Sequence, residues 1–283
     1  LRHVLSHGSH YLAVIAICAL AIGPLSKARW PLRHPALGIA TWQALLISVC
    51  SAVVGLALSI ALAGYGTGEL AGLWQLLFSN RRPPLSTAQW AVLGLAALLT
   101  VALAAVFGRC AVATAAARNR HRHLLDLAGE RVSDRFITLE HPLPVAYCVP
   151  GRPPRTVVST GALAILDSRG LEAVLAHEQA HAAERHDLVL LPFTALRAAR
   201  LPGAAVACAA VALLVECRAD DRASRHAGHK ALHRALAAVG AHPVRVARAS
   251  CAPQPVRRRT PIVVALAVLT VASTPWSLLA YPW

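Results

Sequence analysis

Between Ala36 and Ala63 the chain carries no charged residue at all. A run of that kind is longer than the roughly 20 residues needed to cross a bilayer as a helix, so a membrane span is the expected outcome. Three further apolar runs share the character. Tyr11–Leu25 is shorter and closes on Lys27, Arg29 and Arg33, while Ala88–Phe107 and Pro261–Ala280 are again uncharged. With 56% hydrophobic residues and a mean hydropathy of +0.52, the chain is too apolar for an ordinary soluble domain. The expected architecture is an α-helical membrane protein with about four transmembrane helices (11–25, 36–63, 88–107 and 261–283) and an inserted α+β domain over 109–260. The first run is the shortest, and a cleaved signal peptide is the competing reading of it.

Charge sets the expected orientation. The chain has 28 Lys and Arg against 13 Asp and Glu, and most of the cations fall between the third and fourth runs. The first connection adds Lys27, Arg29 and Arg33, whereas the second shows only Arg81 and Arg82. The positive-inside rule then puts the long segment and the first connection in the cytoplasm, with both termini outside. The excess of +15 is read as topology and attraction to anionic lipid rather than nucleic-acid binding. Nothing around the basic tract Arg118–His123 resembles a recognition fold.

Within the long segment, Arg109–Glu130 reads as a basic continuation of the third span. Arg131–Leu139, Val145–Val149 and Thr156–Ser159 read as strands, and Ala162–Asp167 as a short helix. Asp187–Pro202 reads as a helical excursion against the membrane surface, with a membrane hairpin as the alternative. Helices are expected from Gly203 to about His226 and over His229–Val239, and then a linker, Ala249–Thr260. The seven cysteines show no CxxC spacing and are expected as free thiols.

The chemistry is concentrated in His177-Glu178-Gln179-Ala180-His181. It sits in Leu171–His186, a stretch rich in Ala and Leu without Gly or Pro, which predicts a helix. Histidines four apart share one helix face, so both rings reach a single ion. Glu178 lies about 100° round the helix, placed to touch a water on that ion rather than the ion itself. The pattern is H-E-x-x-H, two imidazole ligands with one carboxylate base.

A third ligand is needed. His186, nine residues past His177, falls on the opposite face of an ideal helix and is set aside. Glu216 closes the apolar run Ala204–Val215, where an unpaired carboxylate is costly to bury unless it binds a cation. Asp220, one turn on, is placed to accept a hydrogen bond from a ligating imidazole. The expected set is His177, His181 and Glu216 on one Zn2+ per chain, Glu178 as catalytic base and Asp220 behind His177. Arg222 and His226 are considered for oxyanion assistance.

Three membrane helices, then Leu171–His181 (LEAVLAHEQAH), Val158–Leu163 (VSTGAL) and Glu216–Asp220 (ECRAD), then a last span, resemble the membrane zinc metallopeptidases of the beta-lactam sensor-transducer type, the BlaR/MecR antirepressor family. The HtpX and CAAX-protease type shares the zinc motifs. The resemblance implies a Glu-zincin metallopeptidase domain whose edge strand, here Ala146, Tyr147 and Cys148, pairs with substrate backbone. The Asn often found before that strand is replaced by Val145. The partners expected are a protein or peptide substrate, first among them a transcriptional repressor, the lipid bilayer, and a second copy of the chain in a homodimer. General membrane-protein quality control is the second candidate role, and a non-catalytic, zinc-stapled transducer the third. The sensor-transducers carry a penicillin-binding domain after the last span. This chain stops at Trp283 without a Ser-x-x-Lys module, so direct beta-lactam sensing is not expected.

Overall fold

The computed structural model describes residues 2–65, 68–79, 84–128, 130–133 and 135–250, together with 263 and 270. The chain divides into two compact units. One comprises 1–106 with 205–207 and 257–283, the other 107–204 with 208–256.

In the first unit, α1 (Arg2–Lys27), α2 (Trp30–Arg33), α3 (Pro35–Ala61) and α4 (Glu69–Phe78) precede the long helix α5 (Thr87–Ala128). Three helices are long and apolar enough to cross a membrane: His7–Lys27, Pro35–Ala61 and Thr87–Leu127. The first begins before the apolar run Tyr11–Leu25 because the helix extends back through His7 and His10, whose polarity hid it. Tyr11, Val14 and Cys18 on one face of α1 pack on Ala52 of α3. Gly55 of α3 is required there, since a Cβ would stand 2.6 Å from the Tyr11 ring. Sequence reading placed no helix between Ala63 and Ala88, yet α4 forms. Its Glu69 is buried against His7, with Oε1 3.0 Å from Nδ1. The fourth span, 261–283, lies outside the described residues apart from 263 and 270.

In the second unit, the expected continuation of the third span is the C-terminal half of α5, one helix of 42 residues. The strand expected over Arg131–Leu139 is two antiparallel strands, β1 (Glu130–Ser133) and β2 (Phe136–Leu139), because the polar Ser133–Arg135 stretch favours a reversal over continued pairing. β3 (Ala146–Val149) and β4 (Arg155–Ser159) complete a four-stranded sheet of order β1-β2-β4-β3. β2 and β4 are parallel and β3 and β4 antiparallel, which leaves β3 as an edge. Leu125 of α5 covers one face of the sheet with Ile137, Val149 and Val157. Val158 on the other face meets Ala162 and Leu175.

Ser159 ties the edge strand to the next helix, α6 (Thr160–Ile165). Its Oγ accepts from the Ala162 and Val145 amides at 3.0 and 2.9 Å and donates to the Leu143 carbonyl at 2.7 Å. It thereby caps α6 and fixes the start of β3 together. Gly161 sits against the Pro142 backbone so closely that no Cβ fits. α7 (Ser168–Ala183) begins at Asp167, whose carboxylate accepts from the Gly170 amide at 2.6 Å. The helices α8 (His186–Ala198), α9 (Ala204–Ala227) and α10 (His229–Ala238) come next. α8 occupies the stretch expected as a helical excursion, held to α5 by Arg118 on Asp187 at 3.3 Å. A last short helix, α11 (Pro243–Ser250), forms where no element was expected. Ala173, Ala223, Leu232, Leu236 and Ala249 bring α7, α9, α10 and α11 into one cluster. Six cysteines (18, 50, 110, 148, 208 and 217) are free; Cys251 lies outside the described residues.

Candidate metal centre

α7 and α9 meet at His177, His181 and Glu216, whose candidate ligand atoms all lie within 4.8 Å of one another. The two Nε2 atoms are 3.1 Å apart. Glu216 approaches them at 3.3 Å (Oε2 to His177) and 3.5 Å (Oε1 to His181). Ligands about 2.1 Å from a tetrahedral zinc stand about 3.4 Å from each other, close to the three contacts that join these residues in a triangle, in which Glu216 meets one imidazole with each oxygen. Two imidazoles and a carboxylate are also the donor set zinc takes in catalytic sites. The residues fit the ion.

His177 Nδ1 lies 3.0 Å from Asp220 Oδ1. Donation to that carboxylate orients the ring with Nε2 toward Glu216 and His181. Asp220, 2% exposed, is itself held by Arg245 of α11, which donates from Nε at 2.9 Å and from a terminal nitrogen at 2.7 Å. The other terminal nitrogen of Arg245 reaches Glu216 Oε2 at 2.7 Å. No sequence signal marked Arg245. Its only cue is a Pro-initiated, Arg-bearing turn some 25 residues past Asp220, which by itself points nowhere.

His181 is buttressed by a residue that helical geometry had set aside. α7 ends at Ala183, and Arg185 adopts a left-handed conformation (φ 51). The chain therefore turns instead of continuing, and His186 starts α8 with Nδ1 2.9 Å from His181 Nδ1. The expectation that His186 faces away from the site is corrected by this break. His186 Nε2 in turn faces Glu184 at 3.4 Å. His226 and Arg222 are elsewhere: they face Glu172 at 4.0 Å and Glu184 at 2.6 Å and line no part of the cavity at the triangle.

Glu178 stands beside the triangle and accepts a hydrogen bond from the Cys148 amide of β3. Burial pushes its carboxyl up to about 7. Burial opposes charge on His177, but hydrogen bonds to Asp220 and Glu216 outweigh it and lift that ring to about 9. Burial, with His177 alongside, brings His181 down to about 4, so its ring is a neutral donor at physiological pH.

A cavity of about 590 Å³ opens here between β3 and α7, lined by Ala146, Tyr147, Cys148, Glu178 and Arg245 as well as the triangle. The Val145 carbonyl accepts from the Ser159 amide at 2.9 Å, so Val145, Tyr147 and Val149 spend their main-chain groups on β4. By alternation Ala146 and Cys148 present theirs along the open edge. Tyr147 points its hydroxyl to His121 Nε2 at 2.9 Å. Cys217, next to Glu216, is fully buried, its thiol pushed up to about 11 by burial, and it packs rather than faces the triangle.

Residues 93–251 match the sequence profile of Peptidase family M48. No curated protein and no solved structure matches the chain.

Proposed function

The chain belongs to peptidase family M48, and from that premise we propose that it is an integral-membrane zinc metalloendopeptidase whose catalytic unit faces the cytoplasm. It is a metallopeptidase hydrolase with a protein substrate, and it has three helices suited to membrane insertion. The observation that supports the zinc reading is the convergence of His177, His181 and Glu216, one ligand atom from each within 4.8 Å of the others, beside the buried carboxylate of Glu178. The cytoplasmic orientation rests on Lys27, Arg29 and Arg33 and on the basic composition of the catalytic unit.

In this reading His177, His181 and Glu216 hold the ion. A bound Zn2+ supplies a Lewis acid for the peptide carbonyl and lowers the pKa of water. An extended peptide adds to the open edge of β3, pairing with the main-chain groups of Ala146 and the Cys148 carbonyl. Glu178, kept in aim by the Cys148 amide, takes a proton from the attacking water and delivers it to the leaving amine. Asp220 holds the His177 ring in its ligating tautomer, and Arg245 holds Asp220 and Glu216. The likeness to the sensor-transducers makes a cytoplasmic repressor the first candidate substrate, and the HtpX likeness makes misfolded membrane proteins the second. Glu178→Gln tests the assignment: peptide hydrolysis falls by about 100-fold or more with zinc still bound. Hydrolysis at the wild-type rate contradicts it.

A further inference from the structure

The cleft extends past the Glu178 carboxylate in two chemically different directions. Toward the start of β3 it is walled by Pro144, Val145, Val174, Leu232 and Leu236, all apolar. Toward the end of β3 it meets a second cavity of about 580 Å³ that shares Cys148 and Pro150 with the first. This one is lined by Arg118, Arg152, Arg185 and Gln179. Two acids of the first cavity stand next to it: Glu178, beside Cys148, and Asp187, which Arg118 and Arg185 share at 3.3 and 3.5 Å. Arg152 has no ion-pair partner among the described residues. The turn that carries it is held by Arg122, which donates to the Pro150 and Pro153 carbonyls at 3.5 and 3.0 Å. Three cations to two anions, in a concavity that shares the wall of Cys148 and Pro150 with the cleft, leave a surplus of positive charge for a ligand to neutralise.

We infer that this pocket is a subsite for a carboxylate side chain of the peptide substrate, taken up by Arg152 with Arg118 and Arg185 behind it. The inference rests on the peptidase reading above and assigns a direction to the substrate. Antiparallel addition is the more stable pairing, and β3 runs from Ala146 toward Val149 and Arg152. The peptide then enters at the arginine end and leaves at the apolar end. The acidic residue therefore precedes the scissile bond, and an apolar residue comes after the bond. The preferred substrate is an extended segment with Asp or Glu upstream of the cut and a large apolar residue downstream.

The test uses the full chain, zinc-loaded and in detergent, with quenched fluorescent peptides that differ only in Glu or Gln at each of the four positions before the bond. Mass spectrometry of the products fixes the register. Wild type favours Glu over Gln in kcat/KM by about fivefold, the size of one partly exposed ion pair, and Arg152→Glu drops the ratio below one. A ratio taken within one preparation is blind to losses of folding or metal. The same peptides, labelled and titrated into the Glu178→Gln protein with and without Arg152→Glu, give the preference by anisotropy without turnover. Cleavage with no acidic preference, or a preference that survives Arg152→Glu, overturns the subsite and leaves the peptidase reading standing. Acidic-selective binding lost in Arg152→Glu but with no cleavage by wild type keeps the subsite and overturns the peptidase reading. Absence of binding by either peptide overturns the subsite.

Discussion

Arg245 and Asp220 form a two-pronged pair, Nε to Oδ2 at 2.9 Å and a terminal nitrogen to Oδ1 at 2.7 Å, with Asp220 almost wholly buried. A buried carboxylate that loses its cation is strongly destabilising, and only His177 Nδ1, at 3.0 Å, is left to satisfy Asp220. Arg245→Met is expected to cost the catalytic unit about 3 to 5 kcal/mol. Arg245→Lys keeps the charge but loses the fork and falls between. Denaturant titration of the full chain reads both; a loss below about 1 kcal/mol for Arg245→Met would show that Asp220 is solvated after all.

His186 braces His181 from behind as Asp220 braces His177, at 2.9 and 3.0 Å. Removing such a brace costs metal affinity by about 10- to 100-fold. His186→Ala should weaken zinc binding by that amount in competition with a chelator, with helix content unchanged. Affinity equal to wild type would mean that the contact orders nothing.

Glu184 joins α7 to α9 by accepting from Arg218 at 2.9 Å and Arg222 at 2.6 Å, and the His186 ring, whose pKa burial lowers, also faces it at 3.4 Å. Burial alone would raise its carboxyl, but the two guanidinium hydrogen bonds outweigh burial and hold it at about 2. A depressed pKa contributes stability that is complete above the unfolded value of about 4.3 and fades as pH falls toward 2. Thermal midpoints of wild type and Glu184→Gln should thus differ near neutrality and converge as pH falls from about 4.3 toward 2. A gap that stays constant with pH would assign the effect to packing.

Much of this centre was legible because its first half is local. A four-residue spacing puts His177 and His181 on one helix face whatever the rest of the chain does, and a carboxylate at the end of an apolar helix asks for a cation. His186 departs from that regularity because the helix does not continue to it. A left-handed Arg185, with no Gly or Pro to announce it, turns the chain and brings the ring back. Arg245 was invisible for a different reason: its partners are 25 and 29 residues away, and only the packing of α11 on α9 and α10 brings them together. Three long apolar helices were readable from charge-free length, whereas α4, of ten residues, was not expected. The edge strand was readable as β-rich letters, but its position beside Glu178 depends on Ser159 and Gly161, whose contacts are tertiary.

The central claim is that one zinc ion is held between α7 and α9 by two imidazoles and Glu216. Zinc content per chain, measured on purified full-length wild type and Glu216→Ala side by side, addresses it directly. One equivalent is expected in the wild type and a clear deficit in the variant, with both proteins folded. A full equivalent retained by Glu216→Ala, or none in the wild type after zinc loading, would contradict it.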